Sequence, residues 1–251
     1  MLFISNMKIT IAVTDIRTPP VCLERLSLLG FRVITLPPCK NLSEAVCSHT
    51  DMLLLSLGDE LITTAEYSEE ADYVLTEIWS MVKGCGRRMK FTSDRLLPEY
   101  PMDCRLNALV MGDRIYLREE SASEYVKASA EALGLTVVGV KQGYPACTVL
   151  KLSDKACITA DRGMARVLRE NGVDVTLIEE GHIDLPPHEY GFIGGCAGVH
   201  DGCVYFVGDP RLHPSYELID AACKSEGLRI VPLGGGVLRD VGGILFTEGE
   251  V

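Results

Sequence analysis

The chain has 251 residues, a formal charge of −11 and 47% hydrophobic residues. The acidity excludes the basic footprint that nucleic-acid binding needs, and the apolar fraction excludes a disordered chain. No run reaches the roughly 18 apolar residues of a membrane span, and residues 1–13, interrupted by Lys8, are too short an apolar stretch for a signal peptide.

Taken in order, the chain predicts one unit repeated. Residues 1–6 read as an extension ahead of a start at Met7. A first strand follows, then a helix over about 20–29, Gly30 and a strand over 31–36. Residues 51–92 give a hairpin (DMLLLSLGDELITT), a helix over about 68–82 and the strand RRMKFT. Residues 92–101, with two prolines, read as a connector within one domain. Residues 107–140 give a hairpin, a helix over about 121–133 and a strand. Ser121 is the expected N-cap there, with Glu124 three residues on as in a capping box. Residues 147–178 repeat the order, with a helix over about 161–171 for which Asp161 is the expected cap. The segment from residue 191 repeats it again. Its hairpin comprises 191–199, the turn His200-Asp201-Gly202 and 203–207, followed by a helix over about 215–225. A final hairpin, GVLRD-VGG-ILFTEG, closes the chain. Gly86, Gly134, Gly172 and Gly227 stand where helix C-terminal glycines belong.

A period of 40 to 50 residues marks a stacked or radial repeat. The C-terminal hairpin with the N-terminal helix and strand makes a fifth unit and leaves no open sheet edge. The expected fold is therefore α/β: a single domain over 1–251, built as a five-bladed pseudo-symmetric propeller of hairpin–helix–strand units. The last blade is closed by the two terminal segments. A doubly wound α/β sheet is the alternative.

The ten cysteines form no C-x-x-C pair. Scattered through apolar segments, they read as free thiols of a reduced, cytoplasmic protein.

Chemistry-bearing residues concentrate at 181–209. His182 and Asp184 share a loop, where a carboxylate-oriented histidine suits proton transfer; an idle surface pair is the alternative. Gly194, Gly195, Cys196, Ala197 and Gly198 leave room for another backbone or a ligand. Cys196 is a candidate nucleophile or a small core filler. Asp103, Arg105 and Asn107 alternate ahead of the third hairpin, which on a strand would aim all three to one side as ligand-binding groups. Asp240 is either a clamp for a cationic ligand or a turn former like Asp59, Asp113, Asp154 and Asp201. His188, His200 and His213 have no metal-site spacing, so no metal is expected, nor any other cofactor. The run Gly234-Gly235-Gly236 lacks the Lys-Ser/Thr of a phosphate loop.

The run from Gly181 to Asp209, with YPMDCRLNA at 100–108, resembles an uncharacterised clostridial-type family of the pentein, or guanidino-group-modifying enzyme, fold. That superfamily includes arginine and agmatine deiminases, amidinotransferases and a non-enzymatic ribosome-associated factor. The resemblance implies a histidine in an H-x-D context, matched by His182-Ile183-Asp184, and carboxylates that clamp a guanidinium. It also implies a C-terminal nucleophilic cysteine. Agmatine deiminases resemble G-G-G-x-x-x-Cys at that place, where this chain runs from Gly234 to Asp240. The implied function is a hydrolase of non-peptide C–N bonds, or a binder of a guanidino or amino compound in an axial pocket. A non-catalytic interaction protein or ligand sensor on the same ring is the alternative.

Overall fold

The structure, a computed structural model, describes residues 7–251; the extension expected at 1–6 lies outside them. In chain order the elements begin with β1 (Lys8–Asp15), α1 (Pro20–Leu28) and β2 (Arg32–Leu36). They continue with α2 (Thr50–Leu53), β3 (Leu55–Leu57), β4 (Glu60–Thr64), α3 (Ala65–Glu70), α4 (Asp72–Val82) and β5 (Arg88–Thr92). Next come β6 (Leu109–Met111), β7 (Arg114–Leu117), α5 (Glu124–Ala132) and β8 (Thr136–Gly139). Then follow α6 (Pro145–Thr148), β9 (Val149–Lys151), β10 (Ala156–Thr159), α7 (Arg162–Glu170), β11 (Asp174–Leu177) and β12 (Ile183–Asp184). The chain ends with β13 (Ala197–His200), β14 (Cys203–Phe206), α8 (Tyr216–Ser225), β15 (Arg229–Pro232), β16 (Leu238–Arg239) and β17 (Leu245–Glu250).

Five three-stranded sheets share one topology. In β3-β4-β5, β6-β7-β8, β9-β10-β11 and β13-β14-β15, the first two strands pair antiparallel and the third joins the middle one in parallel after a helix. In the remaining one, β17 and β1 pair antiparallel and β2 joins β1 in parallel, so the two ends of the chain build one sheet. Local sequence accounts for the pieces. The β13–β14 turn places Asp201 and Gly202 at φ 45° and 68°, the left-handed pair that a tight hairpin requires. The Asp161 carboxylate accepts from the Met164 N–H at 2.8 Å and caps α7. Proline opens α1 at its first turn, where a missing N–H costs nothing.

Each core cluster joins neighbouring sheets. Ile11, Val13 and Leu36 of the first sheet meet Leu61 and the α4 residues Leu75 and Ile78. Leu57 and Ile62 meet Ile115, Leu117 and Val126. Leu109 and Tyr116 meet Cys157 and Leu168. Leu150 and Ile158 meet Phe206 and Ile219, and Val207 and Tyr205 meet Ala12 and Leu26 of the first sheet. Each fully buried aliphatic side chain of this kind contributes about 1.5–3 kcal/mol relative to exposure.

Four local expectations are corrected. The third unit's helix begins at Glu124 after Ser123, not at Ser121, and has no side-chain cap. The helix expected over 68–82 is two helices, α3 and α4, meeting at Ala71. The expected C-terminal hairpin does not form: β16 pairs in parallel with β12, and β17 pairs with β1. Residues 103–107 are turn and irregular chain, not strand, so alternation does not aim their side chains together. Among the described residues, no helix is long and apolar enough to cross a membrane.

Candidate functional site

The lead-ins to the first strands of the sheets converge. His49 precedes β3, Asn107 precedes β6, Cys147 precedes β9, Cys196 precedes β13 and Asp240 precedes β17. His49, Cys147 and Asp240 are buried, and their ligand-type atoms lie within 4.8 Å of one another. They floor a cavity of about 500 Å³. Its wall is aromatic, with Tyr100, Tyr144, Tyr190 and Phe192, and its carboxylates are Asp103, Glu189 and Asp240. Among the described residues, no lysine or arginine lines it.

Glycine makes this convergence possible. A Cβ on Gly195 would stand 1.9 Å from Asp240 Oδ1, and one on Gly242 would meet His49 Cβ at 2.5 Å. Gly194 packs equally tightly on the backbone oxygens of Ala146, Cys147 and Val149. The small-residue run read from the sequence thus serves close backbone approach, and Gly195 does so directly behind Asp240 of the cavity floor. Residues 194–196 form a short turn there, and the strand starts only at Ala197.

Asp240 accepts from the Phe192 N–H at 2.8 Å and the Gly242 N–H at 3.0 Å, both at its carboxylate. Its Oδ1 lies 3.8 Å from His49 Nδ1, and His49 Nε2 lies 3.9 Å from Asp15 Oδ2. Asp15 is fixed by Arg17 and by the Ser48 hydroxyl at 2.8 Å. Among the described residues, neither ring nitrogen of His49 has a hydrogen-bond partner. Burial holds His49 below the ordinary histidine range, against the pull of Asp240 and Asp15; a neutral imidazole results. The Cys147 thiol donates to Asp51 Oδ2 at 2.5 Å, and Asn107 Nδ2 approaches its sulfur at 3.7 Å. Burial pushes Asp51 up to about 8 and drives the Cys147 thiol well above its usual range, with Asp51 and Asp240 adding to the effect. Asp103 accepts from the Tyr144 hydroxyl at 2.5 Å, and burial raises its carboxyl; its Oδ1 has no partner.

The residues singled out in the sequence divide between two places. Asp103 and Asp240 line the cavity, and Asn107 stands behind Cys147, its Oδ1 accepting from the Ala146 N–H at 2.8 Å. Arg105 turns away to pair with Asp94 at 3.3 Å. His182 has a side chain 47% exposed, lies 3.6 Å from Glu179 and stacks edge-on against His213. Asp184 is exposed and gives β16 only its backbone, its carbonyl accepting from the Asp240 N–H at 2.9 Å. Cys196 is fully buried, bonds to the Ile193 carbonyl, and is held neutral by burial beside Asp240. The structure brings neither His182 nor Asp184 to Cys196 or to the cavity. The residues the sequence reading passed over are His49, Asp51 and Cys147. The signal that finds them is positional: each stands at, or just ahead of, the start of a predicted hairpin segment, as Asn107 does.

The chain matches the model of a family described as "Family of unknown function (DUF6873)" over residues 13–245 and belongs to that family. No curated protein sequence matches it significantly. Among solved structures it is similar to SxtG, an amidinotransferase from Microseira wollei in the saxitoxin biosynthetic pathway. The TM-score is 0.57 at 11% identity, over 89% of this chain and 88% of that one. It is also similar to the inosamine-phosphate amidinotransferase StrB1 from Streptomyces griseus, with a TM-score of 0.51 at 18% identity, over 86% and 76%. The chain thus has the α/β pentein fold of these guanidino-group-modifying enzymes.

Proposed function

We propose that this member of a family of unknown function binds a guanidino- or amino-bearing small molecule in the cavity and acts on a C–N bond of it, as a non-peptide hydrolase. The observation that carries the reading is the cavity's composition: Asp103, Glu189 and Asp240 with an aromatic wall and no opposing lysine or arginine. A planar cation gains charge-assisted hydrogen bonds from carboxylates and a face-on contact from the rings. His49, neutral and unpartnered beside Asp240, takes the proton-transfer role that the H-x-D resemblance assigned to His182. Asp240 occupies the place of the C-terminal nucleophilic cysteine. The succession of core clusters, in which the fifth sheet packs on the first, supports a five-bladed ring formed as one domain around this cavity. Ten free cysteines support a reducing, cytoplasmic setting.

A thermal-shift screen against arginine, agmatine and methylated arginines tests the reading. A ligand at about 100 times its Kd adds about 2.7 kcal/mol, and Asp103→Asn and Asp240→Asn each remove that shift. A flat response across the panel sinks it. A sensor without turnover is the second reading, favoured by the neutral state of both Cys147 and Cys196; product analysis with the compound that binds separates the two.

A further inference from the structure

We propose that His49, Cys147 and Asp240 form a mononuclear site for a divalent transition ion of the zinc type. The inference deepens the preceding reading, from which it takes only the cavity as the place of chemistry: with an ion bound, His49 and Asp240 serve as its ligands, and the proton-transfer role given there to His49 passes to the bound water. The geometry is that of an open three-ligand site. Nitrogen, sulfur and oxygen donors lie within 4.8 Å of one another, all buried. Ligand atoms around tetrahedral zinc, at bonds of about 2.0–2.3 Å, stand roughly 3.3–3.8 Å apart. A nitrogen and an oxygen ligand sit at the short end of that range, about 3.3–3.4 Å apart, so His49 Nδ1 and Asp240 Oδ1, at 3.8 Å, close by about 0.4 Å, and a contraction of at most about 1.3 Å brings in the sulfur.

A separate observation points to a ligand rather than to a packed core. Both His49 nitrogens are buried without a hydrogen-bond partner, an arrangement that costs about 1–3 kcal/mol per orphaned group. A metal on Nδ1 satisfies one of them. It leaves Nε2 3.9 Å from Asp15 Oδ2, outside hydrogen-bond distance but close enough that a shift of under about 1 Å makes Asp15 the carboxylate that orients a metal-bound imidazole. The other two donors are braced as well: Asp240 by two backbone N–H groups and Cys147 by Asn107. Mixed nitrogen, sulfur and oxygen donors select zinc or cobalt over magnesium or calcium. With Cys147 as thiolate and Asp240 ionised, a divalent ion is charge-neutral in place, and the thiol proton is released on binding. The remaining position faces the cavity, since all three ligands line it. Water bound there has its pKa drawn toward neutrality. The site thereby gains the nucleophile that neither a carboxylate at 240 nor a protonated thiol at 147 supplies.

Cobalt(II) added to the chelator-treated, full-length protein, with no guanidino compound present, tests this. One equivalent is expected to produce four-coordinate visible bands and a thiolate-to-cobalt band in the near ultraviolet. Both are retained in Cys47→Ser and lost in Cys147→Ser, and they weaken about tenfold or more in Asp240→Asn. No thiolate band in the wild-type protein, or one that survives Cys147→Ser, overturns the proposal. Should circular dichroism show Cys147→Ser unfolded, alkylation of the wild type mapped by mass spectrometry decides. Zinc then slows Cys147 by about tenfold or more and leaves Cys85 unchanged; an unchanged Cys147 rate refutes the site. A cobalt band with a flat thermal-shift panel removes the guanidino reading and keeps the metal centre, and the converse result removes the metal alone.

Discussion

Two histidine–carboxylate pairs in this molecule stand in opposite environments. His182 and Asp184 are neighbours in sequence, yet one points to solvent beside Glu179 and the other lends only its backbone to a two-stranded pairing. His49 and Asp240 are separated by most of the chain, yet they meet at 3.8 Å with both side chains about 1% exposed. Reactivity in a folded protein follows burial, orientation and exclusion of water, and none of these is a property of sequence spacing. The exposed pair sits in high dielectric, where a charge interaction is worth little. The buried pair sits where an unmet donor or acceptor is costly, so its state responds strongly to a ligand.

The sharpest way to break this comparison is kinetic. His49→Ala is expected to lower turnover of the compound that the ligand screen identifies by about 10²- to 10⁴-fold, the usual worth of a positioned acid–base group. His182→Ala should leave it within about twofold. Equal losses from both, measured as kcat/KM, would return the H-x-D pair to the centre of the site.

The next largest effect concerns stability. Gly195→Ala drives a methyl to within 1.9 Å of Asp240 Oδ1. Asp240 cannot retreat without giving up the Phe192 and Gly242 N–H groups. Overpacking of this kind costs about 1–3 kcal/mol, and urea denaturation should show at least about 2. A variant as stable as the wild type would mean that the floor is looser than its distances imply.

Asp51 gives a pH-dependent version of the same contrast. Its folded carboxyl titrates at about 8, raised by burial, whereas an unfolded aspartate titrates near 4. Between those values the unfolded chain has released the proton and the folded one retains it. Stability from this group is therefore lost as pH rises toward 8 and levels off above it. His49, depressed by burial, acts in the opposite sense, but only as pH falls through its ordinary value near 6.5. From pH 7 to 8 the wild type should thus lose about 1 kcal/mol relative to Asp51→Asn, read by denaturant titration at the two pH values. Parallel curves would mean that the folded Asp51 carboxyl is already ionised at pH 7.

The strand order shared by the three-stranded sheets was legible because the hairpins announce themselves locally. The Gly-Asp and Asp-Gly turns at 58–59, 112–113 and 201–202 mark the hairpin bends observed between their strands. The same logic misled at Asp240. RDVGG carries turn residues, and Gly242 does donate to Asp240 as in a turn, but the strand before it pairs with β12. A short strand goes where backbone partners are, and that depends on contacts remote in sequence. Asp103 was visible as a candidate because polar residues lead into an apolar hairpin there, and Asp240 because it stands where the resembling enzymes carry their cysteine. His49 and Cys147 were not, since a histidine ahead of a one-turn helix and one cysteine among ten carry no motif. Only the equivalence of the hairpin lead-ins groups them, and that needs the repeat to be read as a coordinate system.

The smallest expected effect tests the surface half of the comparison. His182 adopts φ 63°, a left-handed conformation that asparagine also accepts readily. Its ring contacts are the edge of His213 and Glu179 at 3.6 Å, and an exposed ion pair of that kind contributes between nothing and about 1 kcal/mol. His182→Asn should therefore change stability by less than about 0.5 kcal/mol and leave both the ligand shift and the cobalt bands intact. A loss of either signal in this variant, with the fold unchanged by circular dichroism, would mean that the 179–184 loop communicates with the floor. The route runs through the backbone: the Asp184 carbonyl accepts from the Asp240 N–H at 2.9 Å, and a shift of that strand would move the carboxylate that the site depends on.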